Sequence, residues 1–142
     1  MTAAVLRAYL GCIVIAVAVA ACDEAGPTAP SRAEIVAGTW QLRTLERAGG
    51  STVAVPSPDR FTLQFGDDGR LTMRADCNSC VGSYQLSATE LRAGALACTR
   101  AFCGSDSLDQ EFLRVFDGPA AIATLNDSLI ISREGTRLTF RH

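Results

Sequence analysis

From Trp40 onward, apolar and polar positions alternate with a period of two, the pattern of half-buried β-strands. Trp40 and Leu42 share one face of the run 40–44, and Phe61, Leu63 and Phe65 share one face of the run 61–65. Gly66-Asp67-Asp68-Gly69 then predicts a tight turn into 71–75, because Asp-Gly supplies the positive-φ positions a short hairpin needs. A second hairpin is expected from 81–86, a turn at 87–90, and 91–97. Strands resume at 121–125, 129–132 and 137–141, separated by turns at 126–128 and 133–136. One stretch departs from alternation. Leu108, Phe112, Val115 and Phe116 are spaced i, i+4, i+7, i+8, the stripe of an amphipathic helix. Ser105, Asp106 and Ser107 are candidate N-caps, and Gly118-Pro119 is a stop signal. The expected fold class is α+β: a mainly antiparallel, curled β-sheet of about seven or eight strands, with one α-helix over residues ~105–117 covering one opening.

The N-terminal region reads differently. Arg7 precedes an apolar stretch over residues 8–21, too short for a span of about 20 residues but right for the apolar segment of a signal peptide. Val19-Ala20-Ala21-Cys22 resembles a bacterial lipobox. Residues 1–21 therefore read as a lipoprotein signal peptide and Cys22 as the lipidation site; the competing reading is an ordinary signal peptide with Cys22 incidental. Two or three acyl chains, at about 0.8 kcal/mol per buried methylene, would make the anchor effectively permanent. Residues 22–33, with Gly26, Pro27 and Pro30 and hardly any apolar bulk, read as a lipidated tether, and 34–142 as one domain. The expected location is the cell membrane or outer membrane, with the domain outside the cytoplasm. The membrane, reached through Cys22, is the one partner expected; no protein or small-molecule partner is named by the sequence.

Charge removes several alternatives. The net charge is −2, and the 13 basic residues are all Arg and scattered along the chain. Nucleic-acid binding needs clustered cations, so it is not expected. Without Lys there is neither a Schiff base nor a P-loop lysine, and the one histidine, His142, stands at a terminus expected to fray. Asp67-Asp68-Gly69 lacks the ligand series of a calcium loop. No catalytic residue, metal or cofactor is assigned.

Beyond Cys12 in the apolar stretch and Cys22, four cysteines stand as Cys77-x2-Cys80-x17-Cys98-x4-Cys103. Structural disulfides, a zinc site and a thiol redox pair at Cys77/Cys80 all compete, with an exported protein favouring disulfides. Register separates the pairings. A hairpin about the turn at 87–90 opposes residues whose numbers sum to 177. Cys80 with Cys98, and Cys77 with Cys103, lie close to that register. The nested scheme is therefore expected, and a bulge near Cys98 would leave the crossed scheme open.

Cys77-Asn78-Ser79-Cys80-Val81-Gly82-Ser83-Tyr84 resembles the C-N-x-x-x-G-x-Y signature of the META domain, the HslJ-like family of bacterial envelope proteins. Gly38-Thr39-Trp40 with Leu42, Thr99 with Cys103, Glu111-Phe112, and Ile130 with Leu138 and Phe140 match it in order. The resemblance implies a small β-rich fold, often on a lipoprotein, without known catalytic machinery; some members are linked to heat shock or antibiotic tolerance. It makes Cys77 and Cys103 the family-like pair and Cys80 and Cys98 additions. Asn78 reads first as satisfying a buried turn, with ligand contact the alternative, and Gly82 as permitting close strand approach. The expected function is a non-enzymatic envelope module, binding or stress-related; the alternative is a thiol–disulfide active lipoprotein using Cys77 and Cys80.

Overall fold

The computed structural model describes residues 26–142. The expected signal peptide over 1–21, with Cys12, and the expected lipidation site at Cys22 lie outside the described residues. In chain order the elements are α1 (Arg32–Ile35), β1 (Thr39–Glu46), β2 (Thr52–Ala54), a 3-10 turn (Pro58–Arg60), β3 (Phe61–Phe65), β4 (Arg70–Ala75) and β5 (Asn78–Leu86). They continue with β6 (Glu90–Ala93), β7 (Ala97–Cys98), α2 (Asp109–Arg114), β8 (Ala120–Leu125), β9 (Ser128–Arg133) and β10 (Thr136–Arg141).

The fold is mainly antiparallel β with small helices, but the sheet is closed where a curled sheet was expected. Neighbours run β10-β9-β8-β6-β5-β4-β3-β1, and β10 pairs back onto β1. Eight strands thus form a barrel, while β2 extends the edge beside β1 and, among the described residues, β7 pairs only with β5. Closure depends on a bend in β1. Its register against β10 shifts between Leu42 and Thr44, so the buried positions pass from Trp40 and Leu42 to Leu45. A bulge of this kind bends a strand and raises its twist, and strict alternation from Trp40 could not have placed Leu45 inside.

The expected turns form, each for a local reason. Gly69 has φ +85° and its N–H donates to the Gly66 carbonyl at 3.1 Å. Asn126 and Asp127 have φ of 46° and 59°, and Glu134 and Gly135 of 50° and 82°. Two positive φ values in a two-residue loop suit the twist of a hairpin.

Inside the barrel, Leu42, Leu45, Leu63, Leu71, Leu91, Leu129, Ile131, Leu138 and Phe140 are fully or almost fully buried. Both mouths are stoppered. At one, Ile35 of α1 is buried and its carbonyl accepts the Trp40 indole N–H at 2.9 Å. Serine 31 opens this short helix with a capping box, its hydroxyl accepting from Glu34 N–H while the Glu34 carboxylate returns to Ser31 N–H. At the other mouth, α2 presents Phe112, whose ring centroid lies 5.7 Å from Phe61, 5.5 Å from Phe116 and 6.2 Å from Phe140.

The helix is shorter than its apolar stripe implied, 109–114 where ~105–117 was expected. Leu108, Phe112, Val115 and Phe116 are nonetheless all buried. Of the expected caps, Ser107 serves from one position before the N-cap Leu108: its hydroxyl accepts from Asp109 N–H at 3.2 Å while donating to Asp76 Oδ2 at 2.6 Å. Downstream, Phe116 N–H bonds to the Leu113 carbonyl at 2.9 Å, tightening the last turn. Phe112→Ala should cost about 3–5 kcal/mol, the usual range for truncating a buried Phe. Denaturant unfolding checks this, and a loss under about 1 kcal/mol would place the ring outside the core.

Candidate functional site

The family-like stretch on β5 builds a scaffold beside α2. Asp76 precedes it at φ +60°, buried, its N–H bonded to the Arg60 carbonyl and its carboxylate ion-paired with the Arg60 guanidinium. Asn78 is 3% exposed, and its amide is used on both sides. Its Oδ1 accepts from Ala101 N–H at 2.8 Å and from the Thr99 hydroxyl at 3.1 Å, while Nδ2 donates to the Ala101 carbonyl at 3.0 Å. One buried side chain thereby fixes the path of 99–103, the backbone role read for it from the sequence.

The cysteines tie the same segment down. Cys77 is joined to Cys103, with Cα atoms 5.5 Å apart, and Cys80 to Cys98, 4.1 Å apart, the nested arrangement. The hairpin keeps the 177 register at Tyr84–Ala93 through Leu86–Leu91, then slips by one residue, so that Cys80 lies opposite Cys98. The extra residue is accommodated beside Gly82, where a Cβ would stand 2.7 Å from the Ala95 carbonyl oxygen and 2.9 Å from Leu96. Tyr84 closes the stretch, donating its hydroxyl to the Gly66 carbonyl at 2.8 Å. Burial pushes its phenol above its ordinary pKa.

Between this pinned segment and α2 lies a cleft of about 600 Å³, its walls including Leu96, Arg100, Phe102, Leu113 and Arg114, with Asn78 among its lining residues. Phe102 is 87% exposed. The helix is strapped in place from outside: Arg47 grips the Glu111 carboxylate through two bonds of 2.6 and 2.8 Å, and Arg133 donates to the Arg114 carbonyl at 2.8 Å. Pattern reading missed this cleft, since Phe102 was grouped with no face; its signal is a large aromatic stranded in the polar stretch between Thr99 and Ser105.

A second hollow of about 390 Å³ lies at the opposite mouth, beside Trp40 and His142. The terminal histidine does not fray as expected: its ring stacks on Trp40 with centroids 3.9 Å apart. Of the segment read as tether, Thr28 pairs with Thr124 of β8 and Pro30 is buried. Among the described residues, no three His, Cys, Asp or Glu side chains converge as metal ligands.

A closed antiparallel barrel with a filled lumen, stoppered mouths and a disulfide-pinned flap defines a plugged barrel whose accessible hollows are on its outside. The chain belongs to the META domain family, whose model matches residues 33–142. Solved structures with the same fold include a protein from Burkholderia xenovorans, 23% identical with a TM-score of 0.63, covering 93% of this chain and 97% of that one. A lipocalin-like protein from Bacteroides uniformis is 21% identical, with a TM-score of 0.51 over 76% of this chain and 97% of that one. A DUF4847 family protein from Bacteroides vulgatus is 16% identical, with a TM-score of 0.54 over 76% and 94%. A search of curated protein sequences finds no match.

Two predictions follow from the flap and its strap. Unreduced protein should leave Cys77, Cys80, Cys98 and Cys103 unalkylated, and non-reducing peptide maps should show the two nested links. A Cys77–Cys98 or Cys80–Cys103 peptide would contradict the pairing. The Arg47 hydrogen bond holds the Glu111 carboxyl below its ordinary pKa. A depressed folded-state pKa contributes stability above the unfolded value and loses it as pH falls through the folded one. The side chains are 39% and 34% exposed, so Glu111→Gln should cost no more than about 1 kcal/mol near neutrality. Melting curves of wild type and variant should converge in acid; a gap that persists there would assign the loss to packing.

Proposed function

We propose that this protein is a non-enzymatic binding module of the bacterial cell envelope, lipid-anchored at Cys22, that presents the cleft beside α2 to a partner. The observation that carries the reading is the contrast between lumen and cleft. The lumen is filled with side chains, whereas the flap walling the cleft is held by two disulfides and a buried asparagine. Preorganising a surface in this way lowers the ordering cost of binding. The volume of the cleft, about 600 Å³, is within the range of ligand pockets.

Anchoring rests on Val19-Ala20-Ala21-Cys22 and gains a geometric consequence from Thr28. From Cys22 to Thr28 the chain can span at most about 20 Å. Thr28 meets β8 near its end, while α2 precedes the start of that strand. A lipid at Cys22 would hold the α1 mouth toward the membrane and turn the cleft away from it. Thiol–disulfide chemistry at Cys77 and Cys80 is the weaker reading, because each is joined to a different cysteine and both bridges must open to free the pair.

The test uses intact cells. Phe102 replaced by photo-reactive benzoylphenylalanine should give a discrete adduct on illumination, whereas the same probe at exposed Arg92 should not. Cys22→Ser should leave an unprocessed precursor. Equal adducts from both positions would remove the cleft from the proposal, and a processed, membrane-bound Cys22→Ser protein would remove the anchor.

A further inference from the structure

We propose that the occupant of the cleft is an extended acidic peptide segment that adds as a strand to the free edge of β7. This rests on the cleft being the binding site and names the chemistry of its partner.

Barrel closure gives the principal strands neighbours on both sides, but among the described residues β7 pairs only with β5. The seam beyond it is thin: β6 and β8 pair only through Glu90–Ala121 and Leu91–Ala120. Register shows where the free groups of β7 point. Thr99 N–H donates to the Ser79 carbonyl at 3.0 Å, and Cys80 lies opposite Cys98. Hydrogen-bonded and non-hydrogen-bonded pairs alternate along an antiparallel ladder, and the latter have the closer Cα atoms, about 4.5 Å apart. With 79 and 99 bonded, 80 and 98 form the non-bonded pair, in keeping with their Cα separation of 4.1 Å. The amide and carbonyl of Cys98 therefore face away from β5, and by the same alternation so do those of Leu96 and Arg100. Among the described residues, nothing hydrogen-bonds to the main chain of Leu96 or Arg100. A short row of unpaired amides and carbonyls at an accessible edge is what an incoming strand completes.

The side chains around the edge select the peptide. Leu96 and Leu113 are half-buried apolar surface in the cleft, and Phe102 projects beside them. Arg100 and Arg114 also line it, and neither forms an ion pair among the described residues; Asp117 is the single carboxylate of the lining. The lining is thus more polar than apolar, with an apolar patch and a cationic excess. An extended segment alternating apolar and acidic side chains would set one series against Leu96 and Leu113 and leave the other near the arginines. Burial of two cations with carboxylate partners gives specificity against basic sequences through like-charge cost.

The experiment titrates the full chain with a short fluorescent peptide of alternating Glu and Val, read by anisotropy and by amide hydrogen exchange. Expected are saturable binding and slowed exchange at Leu96, Cys98 and Arg100. Affinity should fall about tenfold or more when the peptide is N-methylated on alternate amides, when Lys replaces Glu, or in the Arg100→Ala/Arg114→Ala double variant. Binding that survives N-methylation, protection at other amides only, or no binding at all overturns strand addition. If the photo-adduct at position 102 still forms in those cases, the cleft remains the binding site and only its peptide occupant is lost. Amides 96–100 already protected without peptide would assign the edge to the tether or a second copy, and would likewise overturn the proposal.

Discussion

The pairing of β1 with β10 is the contact on which the remaining architecture depends. It joins Gln41–Arg141 through Glu46–Arg137 and converts a sheet with two edges into a barrel. A closed barrel has no edge to protect, but it must fill its lumen and cover its mouths. Branched and aromatic side chains meet the first demand, and α1 and α2 meet the second. The bulge in β1 is the local irregularity that lets one strand serve β3, β2 and β10 together.

Closure also explains why the family-like stretch is structural before it is functional. Where β6 ends short, the chain must travel from Ala93 to α2 without a full partner strand. Backbone polar groups in such a segment need partners elsewhere. Asn78 supplies them for both the N–H and the carbonyl of Ala101, and it also accepts the Thr99 hydroxyl, while Asp76 accepts the Ser107 hydroxyl. Gly82 makes room for the slipped residue, and Tyr84 pins the β3–β4 turn. The two bridges reinforce what the hydrogen bonds begin; closing an 18-residue separation such as 80–98 contributes about 3 kcal/mol in the chain-entropy view. For a domain of marginal stability that is a large share.

A filled lumen changes what the fold can do. Barrels with open mouths keep ligands inside, whereas here Phe112 and Phe116 occupy one mouth, and the hollows lie outside, one against the wall beside α2 and one over the opposite mouth. The same short helix serves both surfaces. Phe112 faces the core, while Leu113 and Arg114 line the cleft, so one element is both stopper and cleft wall. The Arg47–Glu111 and Arg133–Arg114 bonds hold that element against the barrel.

Local pattern determined much of this. Period-two alternation located the strands from 61 onward, except that 91–97, expected as one strand, divides into β6 and β7 where the register slips. Asp-Gly and Asn-Asp located turns, and the spacing of Leu108, Phe112, Val115 and Phe116 named the plug, because these depend on neighbours within a few residues. The hairpin register likewise put Cys80 near Cys98 from the position of one turn. Closure was not legible, since it pairs residues about 100 positions apart and leaves no local trace. Nor was the start of α2 legible, since the Ser107 hydroxyl before it is tied to Asp76, 31 positions away. The cleft was hidden for the same reason: Arg100, Phe102 and Leu113 share no periodic pattern, and only the tertiary path enforced by Asn78 and the two bridges brings them to one wall.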